Sequence, residues 1–286
     1  MMAERNFQLI FVQLLTNDAL RHAFVNGDDS ILNNTLLDES GRARLVALRE
    51  EARPGFEFQS KLIADRLRRK ALEHTPFLLR FLGRETWGNC WKAHKETHLE
   101  SFRSTIGEVE DFIRSIGHSL PNASACGPLN DVCEIELARL KVSSATTLRV
   151  PLERIAADNN DFSTAYLLAA RPIVPCEVRH GVSSDSDFDG LLDPLVAPGL
   201  FVAYRMWGNE EIALTPVSRT HLSIVSICDG TITGAEMAVR LFGSTRTERT
   251  DEIVMRAIGG LVAAGVILPL NSPAPIATAL SEHPNG

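Results

Sequence analysis

The chain has 286 residues, ample to bury a core and a prior for two domains. Its 44% hydrophobic and 23% charged residues are those of a folded globular protein and exclude disordered and fibrous classes. The net charge of −7 lies in the second half: residues 1–125 carry 17 Lys/Arg and 17 Asp/Glu, residues 126–286 carry 12 and 19. That balance argues against a nucleic-acid binder, whose affinity comes largely from neutralising phosphates.

The first 117 residues read as helices. Phe7, Ile10, Phe11, Leu14 and Leu15 repeat at helical spacing, and Thr16-Asn17-Asp18 supplies a break and a new cap before Leu20 and Phe24. This apolar stretch is interrupted by Gln8 and Gln13, so it is expected to be a helix rather than a signal peptide. Leu45 and Leu48 follow, with Arg53-Pro54-Gly55 expected to close that segment. A longer helix is predicted from Phe58 through Leu62, Ile63 and Leu67, and another turn from Pro76. Trp87, Trp91, Phe102, Ile106, Val109, Ile113 and Ile116 continue the apolar face. Residues 120–128 read as a loop, and one more helix is predicted over 129–140.

Beyond it, residues 166–168 and 173–178 read as short strands, and residues 183–193 as an acidic loop. The last third is more ordered in pattern: a strand over 200–207, a Gly208-Asn209 hairpin turn, and a returning strand over 212–217. Ser218 caps a helix carrying Leu222, Val225 and Ile227; Thr231 or Thr233 precedes a second, stopped by Gly243; Thr250 opens a third, ended by Gly265. Residues 266–268 form a closing strand. Two strands, three helices and a strand make a winged-helix pattern. The expected fold is therefore α+β: a helical domain (1–143), a connecting region with short strands (144–195), a winged-helix domain (196–270) and a flexible tail (271–286). The run over 257–270 contains Gly and Pro and too few apolar residues to span a bilayer, so no membrane association is expected.

The five cysteines, Cys90, Cys126, Cys133, Cys176 and Cys228, are odd in number, and no two are spaced C-x-x-C. They read as buried free thiols of a cytoplasmic protein rather than a disulfide framework or zinc knuckle. Asp185, Asp187, Asp189 and Gly190 match the opening of a calcium loop, but Val196 stands where the bidentate acid belongs. A solvated acidic loop is expected. Cys90, His94 and His98 share a helix face by spacing, which raises a metal-dependent enzyme as one reading. The sequence is H-K-E-T-H, not H-E-x-x-H, so the expectation is an amphipathic helix with Trp87 and Trp91 inward and His and Lys toward water. Arg66, Arg68, Arg69 and Lys70 form a basic cluster. They are either cations complementing a helix C-terminus or a docking patch for an acidic partner.

A DNA-reading winged helix should present Arg, Lys, Asn or Gln to bases and cations to phosphates. Residues 196–270 hold six Arg and no Lys against seven acids. The third helix, read from Thr250, opens Thr-Asp-Glu with Arg256 as its only cation. A peptide binder using an outer strand edge and an adjacent apolar groove fits this better. A winged-helix transcriptional regulator is the alternative.

The segment HLSIVSICDGTITGAEMAVRLFG, followed by DEIVMRAIGGLVAAGVIL, resembles the PqqD-like family of peptide-recognition domains. The likeness lies in the Cys228-Asp229-Gly230-Thr231 turn, the Ala235-Glu236 helix start and the Leu261–Ile267 ending. The stretches LLTNDALRHAF and RRKALEHTPFLLRFLGRETWGNCW resemble partner proteins of multinuclear non-haem iron-dependent oxidases, as in methanobactin and 3-thiaglutamate biosynthesis. These resemblances imply a non-catalytic, cytoplasmic subunit of a heterodimer. It would bind the leader of a ribosomally made precursor peptide and present its core, a cysteine, to the oxidase. The leader would add as a strand along Ile212, Leu214 and Thr215, with its apolar side chains against Val254, Ala257, Ile258 and Leu261. The helical domain would dock on the oxidase, with Arg66, Arg69 and Lys70 as the candidate docking residues. No cofactor is expected in this chain; iron would be held by the partner.

Overall fold

The computed structural model describes residues 2–34, 36–51, 53–97, 104–119, 127–145, 150, 152–156, 161–180, 198–207 and 211–273. The protein is mixed α+β and mostly helical, with two three-stranded antiparallel sheets. Among the described residues one compact unit runs to Glu136 and the other begins at Leu137. The acidic loop over 183–193, the Gly208-Asn209 turn, His98, Phe102 and Cys126 lie outside the described residues.

The first unit contains α1 (Met2–Thr16), α2 (Asp18–Val25), α3 (Glu39–Glu50), α4 (Arg53–His74), α5 (Pro76–Thr97), α6 (Thr105–Ser119) and the first part of α7 (Gly127–Ser143). Phe7, Ile10 and Leu14 of α1 pack with Phe24, Leu45 and Phe56 in one core. The Asn17 side chain accepts from the Leu20 N–H and starts α2 where the sequence predicts. Arg53-Pro54-Gly55 opens a helix instead of closing one: the first-turn N–H groups have no intrahelical partner, so proline is tolerated there. The buried side of α4 is Phe56, Ser60, Leu67 and Ala71, which leaves Phe58 and Leu62 66% and 49% exposed.

Helix α5 is broken at Gly83, whose φ of 74° is left-handed and favours glycine. Its N-terminus is capped from α7: buried Glu136 accepts through Oε1 from the N–H groups of Phe77 (2.5 Å) and Leu78 (3.1 Å). After the break, Trp87, Cys90, Trp91 and His94 form one buried stripe. Trp87 and Trp91 stack at 5.8 Å, with Phe112 of α6 edge-on to both. The expectation that His94 meets water is corrected here. Position 94 follows Trp87 by seven and Trp91 by three, so it shares their face, and it is fully buried.

The second unit contains β1 (Tyr166–Ala169), β2 (Ile173–Val178), β3 (Gly199–Arg205), β4 (Ile212–Val217), α8 (Arg219–Ile227), β5 (Asp229–Thr233), α9 (Gly234–Phe242), α10 (Glu248–Ala263) and β6 (Ile267–Leu270). Strands pair in the orders β5-β1-β6 and β2-β3-β4. The two strands expected in a separate connecting region thus belong to the same sheets as the later ones. Leu167 and Ala169 of β1 and Val202 and Tyr204 of β3 share one core with Ile224, Met237, Val254 and Ile258. Ser218, Thr233 and Thr247 cap α8, α9 and α10, each in a reciprocal capping box. Helix α10 starts one turn fragment earlier than expected, so Glu248 and Arg249 join its first turn. Strand β5 is not part of the expected pattern, in which Thr231 or Thr233 only precedes the second helix.

Close packing explains one glycine. A Cβ on Gly234 would lie 2.3 Å from the Phe162 carbonyl oxygen, well inside contact distance. The same carbonyl accepts the Gly234 N–H at 3.2 Å, and that of Ser163 accepts from Ala235. The start of α9 is thereby fixed to the segment preceding β1.

Candidate functional site

The outer edge of β4 can be built residue by residue. Strand β4 pairs with β3 from Leu200↔Val217 to Arg205↔Ile212, and among the described residues with no other strand. Beyond that ladder, the Met206 N–H donates to the Glu211 carbonyl, which marks 206–211 as a hydrogen-bonded pair. Antiparallel pairs alternate. Ala213, Thr215 and Val217 therefore bond inward to β3, while Ile212, Leu214 and Pro216 turn their backbone groups outward. Pro216 fits this register, because an outward position needs no N–H. The free edge thus offers N–H donors at Ile212 and Leu214 and carbonyl acceptors at Ile212, Leu214 and Pro216.

The opposite edge is different. In β2, pairing of Val174 with Ala203 and Cys176 with Phe201 leaves Ile173, Pro175 and Glu177 outward by the same alternation. Proline sits in the middle of that row and separates its two donors. Of these two edges, β4 alone presents two successive outward donors among the described residues, which is what an added strand requires.

The side chains divide between the two sheet faces. Ala213, Thr215 and Val217 lie on the core face with Val202 and Tyr204. Ile212 and Leu214 lie on the other, with Phe201 and Arg205 across the ladder. The three strand residues expected to contact a leader therefore do not share a face, and Thr215 also directs its backbone inward. Its hydroxyl meets Tyr204 Oη at 3.1 Å. Tyr204 spends its single proton on the Ala264 carbonyl, so Thr215 is the donor to it. This hydroxyl pair ties β4 to the C-terminal end of α10. On the outer face, Arg205 Nη2 donates to the Ser143 carbonyl at 3.2 Å and reaches that of Val142 at 3.4 Å, at the end of α7.

Val254, Ala257, Ile258 and Leu261 are all buried in the core. They are corrected from groove-lining residues to residues that support α10 from behind. Their spacing is that of a helix face and could not tell a face packed on the protein from one open to a ligand. Just before α10, Arg246 makes a two-pronged ion pair with Asp251 of its first turn, so this cation is already engaged.

On α4, Arg66, Arg69 and Lys70 are all exposed. Lys70 Nζ pairs with Glu73 at 2.6 Å, and Arg69 Nε reaches the Asp65 carbonyl at 3.4 Å. The helix ends at His74, so Arg66 and Arg69 lie more than a turn before its end, outside the reach of the macrodipole. Phe58, Leu62, Arg66 and Arg69 follow one another at i, i+4, i+8 and i+11. They form one exposed face, apolar at one end and basic at the other. Buried Phe56 and Ser60 set the inward face of α4, which leaves Phe58 and Leu62 outside it.

The Cys90–His94 pair is structural in its contacts. His94 Nε2 lies 3.2 Å from Glu108 Oε1, and Nδ1 lies 3.0 Å from Ser115 Oγ. Lys95 Nζ donates to the same carboxylate at 2.6 Å. Burial alone pushes Glu108 up, but the hydrogen bonds from His94 and Lys95 and the charge of Lys95 hold it below the usual carboxylate range. Ser115 is buried and its hydroxyl lies 2.8 Å from the Phe112 carbonyl, in donor geometry. Burial pushes the Cys90 thiol up, and those of Cys133 and Cys228 up to about 12; Glu136 and Glu134 add to the effect at Cys133, while at Cys228 Arg171 opposes it and Asp229 adds to it. Cys90, Cys133, Cys176 and Cys228 are free thiols. Among the described residues no group of three or more His, Cys, Asp or Glu is arranged to hold a metal, and no helix is long and apolar enough to cross a membrane.

Compared with known proteins, the chain matches no protein-family model and no curated protein.

Proposed function

We propose that this protein is a non-catalytic partner subunit. It binds the leader of a ribosomally made precursor peptide along β4 and presents the peptide core, a cysteine, to a multinuclear non-haem iron-dependent oxidase. The observation that carries this reading is the uninterrupted pair of outward donors at Ile212 and Leu214. A PqqD-like reading of the second unit is supported by its order of three antiparallel strands followed by α8, α9 and α10. Docking to an acidic, partly apolar surface of the oxidase is supported by the exposed face of Phe58, Leu62, Arg66 and Arg69.

Main-chain pairing supplies affinity without demanding a particular leader sequence, and side chains beside the edge supply selectivity. Micromolar binding corresponds to about 8 kcal/mol. Holding the leader raises the effective concentration of the core at the oxidase. The iron chemistry belongs to the partner, and the groups of this chain bind and orient.

Co-expression with such an oxidase and its precursor tests the reading. Co-purification of the three and modification that depends on this chain are expected. Absence of both overturns it, as does salt-dependent binding to duplex DNA in place of peptide binding.

A further inference from the structure

The helical unit carries a solvent-open cleft of about 650 Å³ between the α1–α2 corner, α4 and the part of α5 beyond Gly83, and most of its charged side chains are exposed. Ligand sites typically span about 300–1,000 Å³. Neither Arg66, Arg69 nor Lys70 lines it.

Its wall contains Gly88, in the interior of α5, where glycine is about 1 kcal/mol less favourable than alanine. No crowding demands it: a Cβ there would meet only Arg68 Nη2, at 3.5 Å. The missing side chain widens the cleft and lets Arg68 reach across from α4. Arg68, Arg84 and Lys92 line the cleft together with Asp65, Glu85 and Glu96. None of these six side chains has an ion-pair partner among the described residues. Trp91, Lys95 and Asp18 also line it, and Asp18 is paired with Arg21. The Lys95 ammonium is fixed by Glu108 and lies 5.9 Å from the centre of the Trp91 ring. An ammonium has three donors, so N–H groups remain for a ligand.

Equal numbers of unpaired acids and bases disfavour both a polyanion and a polycation, and suit a ligand carrying both signs. The volume holds several residues, and the largely buried Trp91 contributes a small apolar part of the lining. We infer that this cleft binds a short peptide segment bearing one acidic and one basic side chain. The choice of a peptide over another dipolar ligand rests on the peptide-handling function proposed above.

The test uses the full chain and four capped tetrapeptides: Glu-Ala-Ala-Lys, Glu-Ala-Ala-Glu, Lys-Ala-Ala-Lys and Gln-Ala-Ala-Gln. Binding is read from the Trp91 indole signal in a two-dimensional NMR titration. The mixed-charge peptide is expected to bind about tenfold tighter than the neutral one, from charge-assisted hydrogen bonds. Gly88→Leu fills the cleft with a better helix former and should lower that affinity about tenfold while leaving the Trp87 indole signal in place. Arg84→Gln, at an exposed position, should weaken the mixed-charge peptide without weakening the neutral one. Equal binding of all four peptides, no shift at Trp91, or unchanged binding by both variants overturns the inference. Leader binding at β4 is followed separately through the Ile212 and Leu214 amides. A chain that binds leader but not the tetrapeptide refutes this inference alone; the reverse result refutes the leader site alone.

Discussion

Leu214→Pro removes one of the two outward donors of β4 and leaves the pairing of β3 with β4 intact. The substitution is compatible with this sheet, because Pro216 and Pro175 already occupy outward positions. It also asks the preceding residue, Ala213, for the extended backbone it already has. A leader strand loses one main-chain hydrogen bond, worth about 0.5–1.5 kcal/mol net, with up to about 1–3 kcal/mol if its carbonyl is left buried and unpaired. The edge is only partly buried, so the lower range applies and Kd should rise about 3- to 10-fold. The assay is fluorescence anisotropy of a labelled leader peptide, with circular dichroism as the control for folding. Glu177→Pro makes the equivalent change on β2 and should leave Kd unaltered. If Leu214→Pro binds within about twofold of wild type, or if both variants weaken binding alike, strand addition at β4 is wrong.

Gly234→Ala drives a methyl group into the Phe162 carbonyl and should destabilise the second unit by more than about 2 kcal/mol, followed by denaturant unfolding with Trp207 fluorescence. Glu136→Leu strands the N–H groups of Phe77 and Leu78 and should cost about 2–4 kcal/mol, whereas Glu136→Gln keeps an acceptor and should lose less; unfolding reported by Trp87 and Trp91 distinguishes them. The carboxylate of Glu108 is favoured by folding, so its contribution is present above the unfolded glutamate pKa of about 4.3 and is lost as pH falls through the lower folded value. Glu108→Gln should therefore flatten the acid limb of stability against pH, and an unchanged limb would contradict the network. Buried Cys90, Cys176 and Cys228 should resist a thiol reagent at pH 8 until the chain is unfolded, as a timed colorimetric titration would show.

Local signals were the most legible part of the fold. Asn17, Ser218 and Thr233 cap helices where a short polar side chain precedes an apolar run, and Gly243 ends α9 as expected. Strands β3 and β4 were readable because their apolar residues are bounded by turn residues. The non-local features were not. Nothing near Tyr166 in sequence says that β1 lies between β5 and β6, since its partners are at residues 229–233 and 267–270. Arg53-Pro54-Gly55 has the composition of both a stop and a start, and which it is depends on whether the next turn packs. On α10 the apolar spacing was read correctly as a face, but its buried contacts with α8, α9 and β6 decide that the face is core. At the candidate site, the outward register of Ile212 and Leu214 follows from pairing partners that the sequence does not display. Pro216 and Pro175 were its only local clues. The cleft by Gly88 left still less trace, because its lining joins α4 and α5 with the α1–α2 corner, far earlier in the chain.

The central claim is that a peptide strand pairs with the outer edge of β4. Amide hydrogen exchange of the full chain, resolved by residue and measured with and without the precursor leader, tests it most directly. The N–H groups of Ile212 and Leu214 should gain protection on binding, while those of Ile173 and Glu177 on β2 stay unchanged. Protection on β2, or binding with no change at Ile212 and Leu214, would contradict the account.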